Sequence, residues 1–234
     1  MRMNRFFGDF DFSEKIIRVF DKTLANQLKN VLRTEINEQL ILCDRQGNEA
    51  IAILNKIDKN ESEFEIISVG KNEKEPERYV SLYCSMLKRE NFEWVVQKAT
   101  EIGIKEIVPL ICARTIKTGF SKERLEKIIK EACEQSGRGI LPILNSPLFF
   151  NSALTFAKEN NNINIFFDTE EDNKNNFPNL KNKKVGLFIG PEGGFNEKEK
   201  SLAHESNFKM TSLGKLVLRA ETAAVVASYL AIHN

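Results

Sequence analysis

The strongest chemical signal is a glycine-rich turn that follows a buried strand. An apolar run at 185–189 leads into the turn 190–194, which reads Gly-Pro-Glu-Gly-Gly. Asn196 then caps a predicted helix, and Glu199 is spaced to complete a capping box. Glycines allow positive φ angles and let the main chain approach a ligand closely, so this turn is a candidate ligand cradle. Its spacing matches neither the P-loop nor the dinucleotide fingerprint, and a tight turn without a ligand is the structural alternative.

A second glycine interrupts an apolar run near the carboxyl end. Gly214 lies within the run 213–218, and Arg219 and Glu221 flank the predicted start of the last helix. A carboxylate is favourable there because a helix N-terminus carries partial positive charge. The pattern therefore has two interpretations, a second ligand-binding stretch or a helix start at which Glu221 caps and Arg219 pairs with it.

Two helical segments carry further charged side chains. The polar residues of 97–103 lie opposite the apolar stripe of a predicted helix, a face that is usually solvated. In 134–138 a helix is predicted to end at Gly137, and Arg138 follows directly. Arg138 is consequently a candidate for gripping phosphate and equally for a structural ion pair.

Cysteine and histidine usage excludes several classes of enzyme. The chain has 4 cysteines and 2 histidines in 234 residues, and none has the spacing of a metal site or a redox dithiol. We therefore expect no metal and no histidine-based hydrolase. No run of about 18 uncharged apolar residues is present, so we expect no membrane span, and the N-terminus lacks a signal-peptide pattern, which predicts a cytoplasmic protein. The cysteines are predicted to be buried as small apolar residues, at Cys43, Cys84, Cys112 and Cys133.

Net charge does not indicate a partner by itself. The chain has 34 basic and 33 acidic side chains and a formal charge of +1. Nucleic acid would therefore need a local basic patch. One candidate patch lies near the start, beside Phe6 and Phe7, of which we expect at least one in the core. The patch consists of Arg2, Arg5, Lys29 and Arg33.

Residues 1–70 are predicted to form a small β-barrel. Short apolar runs flank a hairpin signal at 45–48, and a further apolar run precedes residue 70. Between the early strands, Asp21 is spaced to cap a helix. This helix is expected to bury Leu24, Leu28, Val31 and Leu32.

The second predicted domain covers residues 71–234. The charged stretch 70–77, bracketed by glycine and proline, indicates a linker. Strand and helix patterns alternate beyond it, which favours an α/β domain around a mostly parallel sheet.

In this order, the four stretches 97–103, 134–138, 190–195 and 213–223 resemble the RsmE family of ribosomal RNA methyltransferases, a branch of the SPOUT superfamily. They cover the second domain from Lys88 to near its end. The first domain is similar to the family's PUA-like RNA-binding barrel through its early Arg-Phe-Phe and its Val-Leu-Arg at 31–33. The family pattern has a histidine before that Val-Leu-Arg, and this chain has none there.

The resemblance implies S-adenosylmethionine as methyl donor and N3 of a uridine in 16S rRNA of the small ribosomal subunit as acceptor. It also implies a homodimer and a trefoil knot in the C-terminal domain, which periodicity alone would not suggest because chains almost never thread. Arg138, across the dimer interface, or Arg114 is expected to stabilise the uridine anion, with Glu192 as candidate base. The expected cofactor contacts are Ile189, Gly190, Pro191, Glu192, Gly193, Gly194, Leu213, Gly214, Leu216, Val217, Leu218 and Arg219.

Three alternatives stay open on the sequence. The chain could methylate another RNA, or it could be a non-catalytic RNA-binding dimer. A nucleotide- or NAD-binding enzyme is the third, although its glycine fingerprint is missing.

Overall fold

The computed structural model describes residues 3–116, 119–170, 177–181 and 183–233. The chain forms two compact units, the first made of Met1–Glu75 and Cys133–Leu141 and the second of Pro76–Ala132 and Pro142–Asn234. This division differs from the expected boundary after residue 70, which falls inside a strand. The segment Cys133–Leu141, expected in the second domain, belongs to the first unit because long-range hydrogen bonds hold it there, such as Asn72 Nδ2 to the Gly137 carbonyl oxygen at 3.0 Å.

The first unit contains a curled sheet in the strand order β1-β3-β4-β5-β2. The β1 and β3 strands are parallel and the other neighbours antiparallel, with the predicted hairpin between β3 and β4. Register shifts between β4 and β5 bend the sheet, as β-bulges do. Its elements are β1 (Arg5–Phe7), β2 (Ile16–Val19), α1 (Lys22–Asn26) with a π-helical turn (Gln27–Val31), β3 (Gln39–Cys43), β4 (Asn48–Ile57) and β5 (Ser62–Lys71).

The helix after Asp21 departs from the expected pattern in its second half. Leu24 and Leu28 are buried as predicted. The π-helical turn, closed by a hydrogen bond from the Leu32 amide to a carbonyl five residues earlier, then winds more widely than an α-helix. The change of winding alters which side chains face the core, so Val31 is 65% exposed and Leu32 42% exposed. The prediction that both are buried is wrong for this reason.

The second unit is built on a parallel sheet, in agreement with the predicted α/β class. Its strands follow the order β12-β10-β11-β6-β7-β8, and β9 also pairs with β7. The strands are β6 (Val80–Ser85), β7 (Glu106–Ile111), β8 (Ile143–Leu144), β9 (Leu148–Phe149), β10 (Ile163–Phe167), β11 (Val185–Ile189) and β12 (Lys209–Thr211). The helices are α2 (Arg89–Ile102), α3 (Lys122–Ser136, whose end belongs to the first unit), α4 (Phe150–Asn160), α5 (Glu197–Glu205) and α6 (Ala220–His233).

Aromatic rings fill the core beside the sheet. Tyr83 stacks on Phe188 with ring centroids 4.4 Å apart, and Phe166 lies 4.2 Å from Phe195. Phe150 packs against the same group. Because Phe195 directly follows the glycine-rich turn and is buried, it anchors one end of that turn in the core.

An ion-pair network connects α2 with the start of α3. The carboxylate of Glu93 accepts from the Arg124 guanidinium, with Nη2 2.7 Å from Oε2, and from Arg89 Nε at 3.0 Å. These two guanidinium groups, Arg124 foremost, lower the pKa of Glu93 to about 2. The carboxylate is therefore ionised throughout the neutral and mildly acidic range.

Candidate active site

A cavity of about 740 Å³ opens in the second unit beside the ends of strands β10 and β11. The loops that leave these carboxyl ends form part of its wall, as is typical of ligand sites in open α/β sheets. The stretches 189–195 and 212–221 both line it, although about twenty residues separate them along the chain. The structure thus brings together every residue of the expected cofactor set: Ile189, Gly190, Pro191, Glu192, Gly193, Gly194, Leu213, Gly214, Leu216, Val217, Leu218 and Arg219.

The glycine-rich turn is tight, and glycine is favoured by backbone conformation at Gly194 and by crowding at Gly190. The Gly194 amide donates to the Pro191 carbonyl at 2.8 Å, and Gly194 itself has φ +68°, in the region that favours glycine. A Cβ on Gly190 would lie 2.9 Å from the ring of Phe195. The main chain therefore forms the cavity wall directly, without intervening side chains at these glycines.

The second stretch contributes an apolar surface. Leu216 and Val217 are 82% and 79% exposed, an unusual position for two adjacent aliphatic side chains. Gly214 has φ +136°, which lets the chain turn between β12 and this surface. A flat apolar ligand or a partner surface would cover these side chains, and their exposure is a second indication of binding.

The charged groups at the cavity include residues that the sequence pattern did not single out. Asp168 directly follows β10 and lines the cavity, and Lys200 Nζ contacts its carboxylate at 2.9 Å. Glu221 also lines the cavity, with its carboxylate 4.0 Å from Arg219 Nη1, which agrees with the expected pairing of these two side chains. The sequence feature that could have identified Asp168 is its position as a polar residue immediately after a buried strand. The lining residues outside the expected set are Lys88, Asn91, Ile116, Phe167, Asp168, Thr169, Phe195, Ser212, Ala220, Glu221 and Ala223.

Arg114 lies against the glycine-rich turn. Its Nη1 donates to the Gly193 carbonyl oxygen at 2.6 Å, and the side chain is exposed. Glu192, the candidate base, is exposed and lines the cavity, and its Oε1 is 3.5 Å from the Lys88 amide nitrogen. One expected anion-stabilising arginine and the expected base are therefore attached to the same turn.

Arg138, the other candidate arginine, belongs to the first unit and is 4% exposed. Its Nε and Nη2 contact the two carboxylate oxygens of Glu75 at 3.2 and 3.1 Å, the fork geometry that arginine favours. Glu75 Oε1 also accepts from the amides of Gly139 and Ile140. This is a complete structural role, and the catalytic role of Arg138 stays a prediction.

The expected nucleic-acid patch is only partly available. Arg5 is 8% exposed and pairs with Glu49 inside the first unit, so its burial and its ion pair do not support the expected phosphate contact. Lys29 and Arg33 are exposed, and Arg2 lies outside the described residues. The neighbouring Phe6 and Phe7 are both buried, which confirms the expectation that at least one belongs to the core.

The four cysteines are buried, as predicted. Burial raises the pKa of the Cys43 thiol to about 11 and those of Cys112 and Cys133 to about 12, so these groups are protonated at neutral pH and unsuited to nucleophilic catalysis. Across the described ranges, no cluster of three or more metal-ligating side chains occurs. Among the described helices, none combines the length and the apolar composition that crossing a membrane requires.

Comparison with known proteins agrees with this geometry. The family model of the RNA methyltransferase domain matches residues 73–232, and that of the RNA methyltransferase PUA domain matches residues 25–67. The chain is 32% identical to the ribosomal RNA small subunit methyltransferase E of Rickettsia conorii, over 97% of this chain and 94% of that protein. The corresponding protein of Mesomycoplasma hyopneumoniae is 33% identical, over 86% of this chain and 89% of its own length.

Solved structures are similar over nearly the whole chain. A ribosomal RNA small subunit methyltransferase E from Neisseria gonorrhoeae, bound to S-adenosyl methionine, superimposes with a TM-score of 0.88 at 27% identity, over 98% of this chain and 96% of that one. A Legionella pneumophila protein in complex with the same cofactor gives a TM-score of 0.89 at 29% identity, over 99% and 97%. Together with the sequence matches, these findings show that the chain belongs to the RNA methyltransferase family that contains the ribosomal RNA small subunit methyltransferase E proteins.

Proposed function

We propose that this chain transfers a methyl group from S-adenosylmethionine to N3 of a uridine in 16S rRNA of the small ribosomal subunit. The observation that carries the proposal is the convergence of both glycine-containing stretches on one cavity, in a chain of this enzyme family. Because the substrate is ribosomal RNA, we assign the activity to the cytoplasm.

The cavity fits S-adenosylmethionine in size and chemistry. Its volume of about 740 Å³ lies in the ordinary range of small-molecule sites. The exposed Leu216 and Val217 offer an apolar surface suited to the adenine ring. The cofactor carries an ammonium, a carboxylate and a sulfonium, and the cavity offers both carboxylates, such as Glu192, and cations, such as Lys88 and Arg219. We assign cofactor binding to the stretches 189–194 and 213–219.

The reaction needs alignment and a deprotonated nucleophile more than it needs a metal or a covalent intermediate. S-adenosylmethionine, when bound, supplies an electrophilic methyl group on sulfur. The Glu192 carboxylate takes the proton from N3 of the uracil ring. As the bond from N3 to the methyl carbon forms, the bond from that carbon to sulfur would break, and S-adenosylhomocysteine would leave as the neutral thioether. The negative charge that develops on the uracil oxygens is stabilised by the Arg114 guanidinium, which Gly193 holds beside the turn.

We assign RNA binding in the first unit to the exposed face that follows α1. Lys29 and Arg33 supply positive charge for phosphates, and the exposed Val31 and Leu32 lie between them in the sequence. Arg5 has no part in this assignment because it is buried.

A homodimer is supported by an apolar groove on the second unit. Ile102 on α2 and Val225, Val226, Tyr229 and Leu230 on α6 line it, and Tyr229 is 57% exposed. A second copy would remove this surface from water, which is favourable for apolar area.

We also propose the trefoil knot, and the route of the chain supports it. The chain leaves β11, reaches β12 at the sheet edge and returns through 212–219 to pack α6 on β11 and β6.

The proposal is tested with tritium-labelled S-adenosylmethionine and three substrates from a strain that lacks this gene: free 16S rRNA, assembled small subunits, and total RNA that includes transfer RNA and 23S rRNA. We expect label in 16S rRNA and 3-methyluridine in its nucleoside digest. Label in transfer RNA or 23S rRNA instead would move the activity to another RNA. Binding of 16S rRNA without any transfer of label would indicate the non-catalytic alternative.

A further inference from the structure

We propose that Glu199 is a positioning residue for methyl transfer, because it fastens the turn that carries Arg114 beside the glycine-rich turn. The inference rests on the proposed function and adds a residue that acts on the reaction through Arg114 without touching the substrate. The Glu199 carboxylate is buried and accepts more hydrogen bonds than a helix cap requires.

Glu199 lies in the first turn of α5 and is 6% exposed. Its Oε2 accepts from the Asn196 amide at 2.8 Å, and its own amide donates to Asn196 Oδ1 at 2.8 Å, which completes the predicted capping box. The other oxygen, Oε1, accepts from the amide of Ala113 at 2.8 Å, 86 residues earlier in the chain. A capping box needs one side-chain oxygen and is served equally well by glutamine. The second oxygen is therefore committed to the turn at residue 113.

That turn is fixed on its other side as well. Thr115 Oγ1 accepts from the Cys112 amide at 2.8 Å and lies 2.8 Å from Ser85 Oγ at the end of β6. The Thr115 amide in turn donates to the Cys112 carbonyl at 3.1 Å. The backbone on both sides of Arg114 is thus tied to two separate elements, α5 through Glu199 and β6 through Ser85.

The fixed turn determines where the Arg114 guanidinium lies. Nη1 bonds to the Gly193 carbonyl at 2.6 Å, while a guanidinium has five N–H donors in total. The side chain can therefore brace the glycine-rich turn and still present donors toward a ligand. A shift of the Ala113 backbone moves this guanidinium away from the position at which it meets the developing charge.

Glutamine at position 199 separates the two roles of the carboxylate. It has one acceptor oxygen and a donor group, so it can satisfy the Asn196 amide or the Ala113 amide but not both. The matched control is Glu197→Gln, which removes the same charge from the same turn of α5, at a side chain that is 85% exposed. Asn196→Ala is the second control, because it breaks the capping box and leaves the acceptor for Ala113 in place.

The experiment measures kcat for methyl transfer to rRNA, the Kd of S-adenosylmethionine by calorimetry, and amide hydrogen exchange at residues 112–115. For Glu199→Gln we expect kcat to fall about 10- to 100-fold, the range associated with small misplacements of a reacting group. We expect the cofactor Kd to stay near the wild-type value and the Ala113 amide to exchange faster. Glu197→Gln and Asn196→Ala are expected to keep kcat and the slow exchange of Ala113.

A double-mutant cycle connects the effect to Arg114. In an Arg114→Ala background, Glu199→Gln is expected to cause no further loss of kcat, because the side chain that it positions is gone. An equal loss in both backgrounds, or a loss in Asn196→Ala as large as in Glu199→Gln, would overturn the inference. If the wild-type chain transfers no methyl group, the proposed function fails instead. Unchanged hydrogen exchange of the Ala113 amide in Glu199→Gln would independently refute the inference that Glu199 holds this backbone in place.

Discussion

Replacement of Arg138 by alanine tests whether this arginine serves structure or chemistry. Its side chain is 5% exposed and that of Glu75 is 10% exposed, so the substitution leaves a carboxylate buried without its guanidinium. Breaking a buried ion pair by removing one partner costs about 3–5 kcal/mol. We therefore expect Arg138→Ala to lower the free energy of unfolding by about that amount.

The size of the effect can be assigned to the pair by a second substitution. Glu75→Gln in the Arg138→Ala background removes the charge that Arg138 pairs with in the wild type and keeps an acceptor for the amides of Gly139 and Ile140. The double variant should therefore recover about 0.5–3 kcal/mol, the usual coupling between residues in contact. Arg18→Ala is the control, since its pair with Glu63 in the same unit is 65% exposed on the arginine side and is expected to cost less than about 1 kcal/mol.

The assay is guanidinium unfolding followed by circular dichroism, with scanning calorimetry to separate the transitions of the two units, and turnover measured on the same preparations. An unfolding free energy of Arg138→Ala within about 1 kcal/mol of wild type would refute the structural reasoning. If that stable variant also lost turnover about 100-fold with normal cofactor binding, a direct catalytic role for Arg138 would be established.

Three further predictions concern the cavity, the RNA-binding face and pH. Gly194→Val forces a β-branched residue to φ +68° and should weaken S-adenosylmethionine binding in calorimetry. The control Gly70→Ala, which has open space around it, should leave the affinity unchanged. Equal affinities of the two variants would show that the turn does not contact the cofactor. Lys29→Ala and Arg33→Ala should each weaken rRNA binding and reduce its salt slope by about 1, and an unchanged slope would locate the RNA elsewhere. Glu93→Gln should lower the free energy of unfolding at pH 7. Because the ion pairs of Glu93 stabilise the fold only while its carboxylate is ionised, the difference in unfolding free energy from wild type should disappear as pH falls from 4.5 toward about 2. A constant difference between pH 7 and pH 2 in denaturant titrations would contradict this.

The candidate binding site was largely predictable because its signals are local. The turn at 190–194 and the run at 213–218 each combine glycine with flanking apolar residues, a pattern open to a ligand-binding and to a purely structural interpretation, and the family resemblance favours ligand binding. The alternation of strands and helices predicts a parallel sheet, whose carboxyl ends gather such turns at one edge. The position of Asp168 at the cavity was not predicted, because a single polar residue after a strand indicates little until its neighbours in the folded structure are known.

The sequence by itself determined the two fold classes, the capped start of α5, and the two stretches that line the cavity, because these depend on periodicity and on residues within a few positions of one another. Tertiary structure alone decided that Arg5 pairs with Glu49 and that Arg138 pairs with Glu75, over separations of 44 and 63 residues. It also decided the link from Glu199 to Ala113. Arginine and glutamate look alike in a sequence whether they are solvated or buried, since burial and partner choice arise only when distant segments pack together and desolvate their charges.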